Sequence, residues 1–277
     1  LNRGDVITGA NVTVGTIANL HILGGSSGQI LSTDGSGSLK GLDGTSNLNI
    51  PNVAGNYTVQ VLARSNHTVS VIGGKPAFQF YTSVKDVCTN DVHKITTNLS
   101  VSGTGTVSAT LTAYARESES SSISGGAFNI FNDIGTTYDY LGQNTGTQNL
   151  TCLSSKLNVF WTAGFNPAQF IDPYSDPSTL GNISFYLRGY NELYINGGKL
   201  GNVTSADTDH FDDSVILHEF GHHVEDVCGT MDSPGGTHYG QFRIDPRLAW
   251  SEGWGNFFGA HMTRNNLNAI NQSVSAT

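Results

Sequence analysis

The chain has 277 residues, of which 13% are charged, 37% hydrophobic and 34 glycine, with a formal charge of −9. That is long enough for two domains, while 13 basic residues with no run among them exclude a phosphate-binding nucleic-acid surface. No stretch approaches the roughly 18–20 apolar residues of a membrane-spanning helix, and the weakly charged, Gly-, Ser- and Thr-rich composition suits β-structure outside the cell or on its surface.

The first residue is Leu1 rather than Met, so a processed mature chain or a fragment is expected. Residues 1–118 read as an all-β sandwich region. Strand-like runs of β-branched and aromatic residues lie at 10–15, 57–63, 67–73, 77–84 and 105–115, separated by turn material such as "GGSSG" and "TDGSGS". From "GANVTV" through "LSTDGSGSLKGL" to "NYTVQVLA" the pattern resembles the prealbumin-like or carboxypeptidase-regulatory-like modules of secreted proteins. The resemblance implies one such module over 1–75 and further strands over 76–118.

The polar "RESESSSISGG" at 116–126 marks an expected boundary, with a second, α+β domain over 119–277. After it the period changes. Phe128, Phe131, Ile134, Tyr138 and Leu141 recur at helical spacing, and "LNVFWTA" (157–163) and "NELYINGG" (191–198) read as strands.

The segment "VILHEFGHHVED" (215–226) contains H-E-x-x-H: His218, Glu219 and His222. Asp212 and Asp213 stand where a helix start wants a cap, and Gly229 is a natural stop. Residues four apart share one face of a helix, so His218 and His222 can reach a single ion, here zinc (Zn2+). Glu219 is displaced from that line and suited to take a proton from a metal-activated water. With nine His and six Glu in the chain, chance is a poor source of this motif. His223, turned about 100° from His222, reads as packing or surface.

A catalytic zinc needs a third protein ligand. The H-E-x-x-H-x-x-G-x-x-H solution fails, because its Gly position is Glu225 and its last His position is Cys228. The other solution is a carboxylate from a second helix. "LAWSEGWGNFFGAHM" (248–262) offers Glu252, with Trp250, Trp254, Phe257, Phe258 and His261 as the expected apolar face. "HEFGH" followed by "SEGWGNFF" resembles the gluzincin metallopeptidases, and "E-G-W" most resembles the fungalysin-type glutamate helix.

That resemblance implies His218, His222 and Glu252 as zinc ligands, Glu219 as general base, a zincin-like fold and a peptide or protein substrate. It also implies that "NELYINGG" is the edge strand that pairs with substrate. Where thermolysin-like and fungalysin-like enzymes carry an Asp that orients a zinc histidine, this chain has Asn256. Family members continue past the glutamate helix, so the domain is expected to be C-terminally incomplete. In the loop 229–246, His238 or Tyr239 is a candidate hydrogen-bond donor to an oxyanion, and Arg247 or Arg243 is expected to pair with Asp245.

Of the three cysteines, Cys228 closes the helix pattern and reads as a small buried hydrophobe, which leaves Cys88 and Cys152 as the candidate disulfide. A second functional reading remains open: a structural or adhesive extracellular protein, self-assembling into fibres, whose peptidase-like domain is inactive or merely stabilised by zinc.

Overall fold

The computed structural model describes residues 11–12, 19–23, 29–33, 39–40, 55–69, 71–102, 113–114, 123–144, 149–236, 238 and 243–270. It is a mixed α and β protein. No helix among the described residues is long and apolar enough to cross a membrane.

The first sheet is antiparallel, in the order β4 (Leu39–Lys40), β3 (Gln29–Thr33), β2 (Asn19–Leu23), β5 (Gly55–Leu62) and β8 (Lys94–Val101). Two short strands, β1 (Asn11–Val12) and β9 (Ala113–Tyr114), pair separately. Of the strand expected over 105–115, only these last two residues of β9 are described, and most of the 116–126 boundary also lies outside the described residues.

The second sheet runs β11 (Phe185–Leu187), β12 (Glu192–Tyr194), β10 (Leu157–Phe160), β7 (Phe78–Lys85) and β6 (Arg64–Val69). Its centre is parallel, β7 to β10 to β12, and both outer strands are antiparallel. Strand pairing therefore crosses position 118: β6 and β7 precede it, yet they complete the sheet that carries β10–β12. The chain passes from one sheet to the other at Ala63. This residue is fully buried; its N–H donates to the His93 carbonyl and its carbonyl accepts from Val84 N–H.

The "NELYINGG" segment is not the edge of this sheet. Its strand, β12, lies between β10 and β11, and the outer position belongs to the three-residue β11. The apolar signal of "NELYI" reflects that interior position: Leu193 and Ile195 are fully buried.

Helix α1 (Ser124–Asn144) lies against β7, and all five residues at its predicted spacing are buried. Tyr138 links the layers, with its ring 4.8 Å from Phe80 of β7 and 5.4 Å from Phe220 of α3 (Asp213–Cys228). Phe220 in turn meets Phe258 of α4 (Pro246–Ile270) at 6.0 Å. One apolar core thus runs from the sheet through α1 to the two helices that bear the motif residues.

The apolar face expected on α4 packs only in part: Phe258 is buried and Trp254 lies against the core. Trp250 and Phe257 are largely exposed and His261 is exposed, whereas Leu248, Ser251, Gly255, Phe258, Gly259 and Met262 are buried. Small residues line the contact because α3 comes too close for large ones. A Cβ on Gly255 would sit 2.8–3.0 Å from the His218 ring.

The disulfide also differs from expectation. Cys152 bonds Cys228, and Cys88 is free and exposed. Cys152 sits on a 3₁₀ turn (Thr151–Ser154) beside the last turn of α3, while Cys88 lies in a turn whose N–H groups are held by Asp86. The bond ties the C-terminal end of α3 to the segment leading into β10. Replacing Cys152 and Cys228 by serine should lower stability by about 4 kcal/mol, because the bond spans a sequence separation of 76 residues. Denaturant unfolding with and without the replacement reads this directly.

Candidate metal centre

Asp212 starts α3 as expected: its carboxylate accepts the N–H groups of Ser214 at 3.0 Å and Val215 at 3.3 Å. His218 and His222 stand four positions apart, and their Nε2 atoms come within 3.1 Å of each other. Glu252, carried in from α4, places Oε2 3.3 Å from His218 Nε2 and Oε1 3.8 Å from His222 Nε2. Ligand atoms at roughly 2.0–2.1 Å from a tetrahedral ion stand about 3.3 Å apart. The His218–His222 and His218–Glu252 separations match such an edge, while the second Glu252 oxygen stands wider from His222, at 3.8 Å.

Glu219 is also near. Its ligand atom and those of the two histidines all lie within 4.8 Å of one another, a group that could hold a metal ion. Glu252 differs from Glu219 in directing both its oxygens at the histidine Nε2 atoms. Glu219 projects sideways, and the Tyr186 backbone of β11 beside it partly offsets the effect of burial on its carboxyl. Burial pushes Glu219 up to about 8; the His218 charge opposes that shift and the Glu252 charge adds to it.

The histidines are oriented from behind. His222 Nδ1 lies 3.2 Å from the buried Ser251 hydroxyl, which donates to Glu225 Oε2 at 2.6 Å. The hydroxyl spends its own proton on Glu225, so it accepts from Nδ1–H and leaves the Nε2 lone pair facing Glu252. The Asn256 side chain stands beside the His218 ring and favours its charged form. Burial disfavours charge on His218, but Glu252 and Glu219 outweigh it and raise its pKa. Burial lowers that of His222, reinforced by the His218 charge. Burial works against the Glu252 carboxylate as well, yet His218, His222 and His238 together hold its pKa below the ordinary value.

Of the loop candidates, His238 is brought to the site, with Nε2 3.3 Å from Glu252 Oε2, while Tyr239 lies outside the described residues. Arg247 pairs with Asp245 at 2.9 Å and holds that carboxyl at about 2; Arg243 is exposed. His223 packs: its ring is buried between Phe220 and Tyr186, and burial lowers it to about 4.

The sequence reading missed the supporting set. Ser251 and Glu225 carry no motif of their own, although Glu225 stands one helical turn after His222. Asp226 fastens the edge hairpin to α3 by accepting from Tyr186 OH at 2.9 Å and Gly189 N–H at 3.1 Å. Asp209 accepts from the Ser184 hydroxyl at 2.6 Å, and its charge helps raise Glu219.

Two tests follow from this geometry. A Gly255→Ala methyl meets the His218 ring, so metal uptake should fall while the fold persists, as judged by calorimetric titration beside circular dichroism. Asp209 offers a pH test. Burial pushes it up to about 6 from an ordinary 3.8, so its contribution to stability is complete below pH 4 and lost as pH rises through 6. That loss amounts to about 3 kcal/mol. Melting curves of Asp209→Asn and the parent should coincide near pH 4, with the variant melting higher above pH 6.

The chain matches no protein-family model, no curated protein and no solved structure, so the reading of this centre rests on its own geometry.

Proposed function

We propose that the chain is a secreted or cell-surface zinc peptidase of gluzincin-like design, with its N-terminal strands forming sandwich modules ahead of a zincin-like domain. The observation that carries the proposal is the convergence of His218 Nε2, His222 Nε2 and Glu252 at 3.1–3.8 Å, with a second buried carboxyl, Glu219, beside them. Two imidazoles and one carboxylate suit zinc, and three protein ligands leave a position for water or substrate.

In this reading His218, His222 and Glu252 hold the ion. When bound, it would supply Lewis-acid polarisation of a peptide carbonyl and lower the pKa of water. Glu219 accepts the proton of the attacking water and returns it to the leaving amine. A cation a few ångströms away favours its carboxylate form and offsets the burial that otherwise keeps it protonated. Ser251 and Glu225 fix the His222 tautomer, and Asn256 steadies the His218 ring.

The substrate is an extended peptide. β11 is the outer strand of its sheet, and its Tyr186 backbone stands beside Glu219 and helps to favour the carboxylate. A peptide adding antiparallel to β11 would run past the general base.

Glu219→Gln should retain about one zinc per chain yet lose hydrolysis by at least ~100-fold, the low end for a general base; Glu252→Ala should lose the zinc itself. Elemental analysis and turnover of a peptide library separate the two effects. Hydrolysis undiminished in Glu219→Gln would overturn its role. A parent protein that binds zinc but cleaves nothing would support the structural or adhesive reading instead.

A further inference from the structure

We infer that His238 is a fourth protein ligand of this centre, giving it a closed resting state in addition to the open one that hydrolysis requires. The inference rests on the zinc reading above but assigns the ring a different role from oxyanion donor.

The loop after α3 turns back on itself at Gly235 and Gly236, with φ of 64° and 102°, a region where a side chain would be strained. Ser233 Oγ accepts the Gly235 N–H at 3.2 Å and tightens the turn. The turn delivers the His238 ring to Glu252, Nε2 to Oε2 at 3.3 Å, the same separation as that between His218 and Glu252.

His238 Nδ1 lies 3.0 Å from the Gly236 carbonyl. A carbonyl only accepts, so Nδ1 carries a proton, and the neutral ring in this tautomer has its Nε2 lone pair directed at the carboxylate side, where a ligand needs it. At 3.3 Å from the carboxylate, Nε2 is held there by its own proton when the ring is an imidazolium and by the ion when zinc lies between them; in the second case the ring is neutral and ligates through its lone pair. The tautomer and the distance together fit a ligand.

His238 also differs from the other ligands in how it is held. His218 and His222 are fixed on α3 and Glu252 on α4, with side chains 18%, 8% and 21% exposed; that of His238 is 40% exposed on a turn. It is the ligand that substrate or water can displace without disturbing a helix.

The test compares the intact chain with His238→Ala, His238→Asn and, as a control, His218→Ala, using Zn2+ in chelator competition and Co2+ for visible absorption. A direct ligand should cost at least the ~10–100-fold in affinity typical of an outer-sphere partner. Both His238 variants should therefore bind Zn2+ that much more weakly. Their Co2+ bands should shift, and added azide should perturb them more readily than those of the parent.

Equal affinity and superimposable Co2+ spectra for the parent and both His238 variants, with metal lost only in His218→Ala, would overturn the fourth-ligand assignment and leave the three-ligand centre standing. No metal bound by the parent, or binding unaffected by His218→Ala, would overturn the zinc reading and this inference with it.

Discussion

Helices α3 and α4 approach so closely that a Cβ on Gly259 would sit 2.8 Å from the Ser214 carbonyl oxygen and 3.1 Å from the His218 amide nitrogen. This contact is the constraint on which the centre depends. Gly221 faces Phe258, Gly255 lies under the His218 ring, and the Trp254 indole N–H donates to the Gly221 carbonyl at 2.8 Å. Only at this spacing can a carboxylate on one helix reach imidazoles on the other. A bulkier interface would move Glu252 out of range, and a displacement of about 1 Å is enough to spoil a site of this kind.

Around that contact the chain assembles groups that are costly to bury singly. Glu219, Glu225 and Glu252 all stand within the two-helix unit, together with two histidines whose Nε2 atoms nearly touch. Neighbours from other elements stand beside them: Ser251 of α4 donates to Glu225, Tyr186 of β11 lies beside Glu219, and Asn256 of α4 lies beside His218. Buried charge of this kind persists where it is paired or coordinated. The edge hairpin belongs to the same arrangement, because Asp226 of α3 fastens Tyr186 and Gly189. The disulfide to Cys152 closes off the far end of α3.

Much of this was legible in the residues. The period of Phe128, Phe131, Ile134, Tyr138 and Leu141 marks a helix with one buried stripe, and all five are buried. Asp212, H-E-x-x-H and Gly229 mark the limits and the face of α3. Hydrophobicity failed in part on α4, where it favoured the aromatic side. The packed side sets Leu248, Phe258 and Met262 among Ser251, Gly255 and Gly259, small residues that look polar or neutral in sequence and become buried only because another helix lies on top of them. The cysteines failed for a similar reason. Cys228 at the end of a helix has the pattern of a core residue, and nothing local shows that the Cys152 turn lies against it.

The sequence by itself determined the chemistry: which side chains can ligate, which can carry a proton, and that the two histidines share one helical face. Helical geometry is local, so spacing along the chain is enough to establish that. Tertiary structure alone decided the rest. Ser251 with Glu225 sets a tautomer, His238 is brought beside Glu252, β11 rather than β12 becomes the outer strand, and β6 and β7 complete a sheet begun on the far side of position 118. These are contacts between residues far apart in the chain, fixed by packing density and backbone pairing, and no local pattern encodes such a distance.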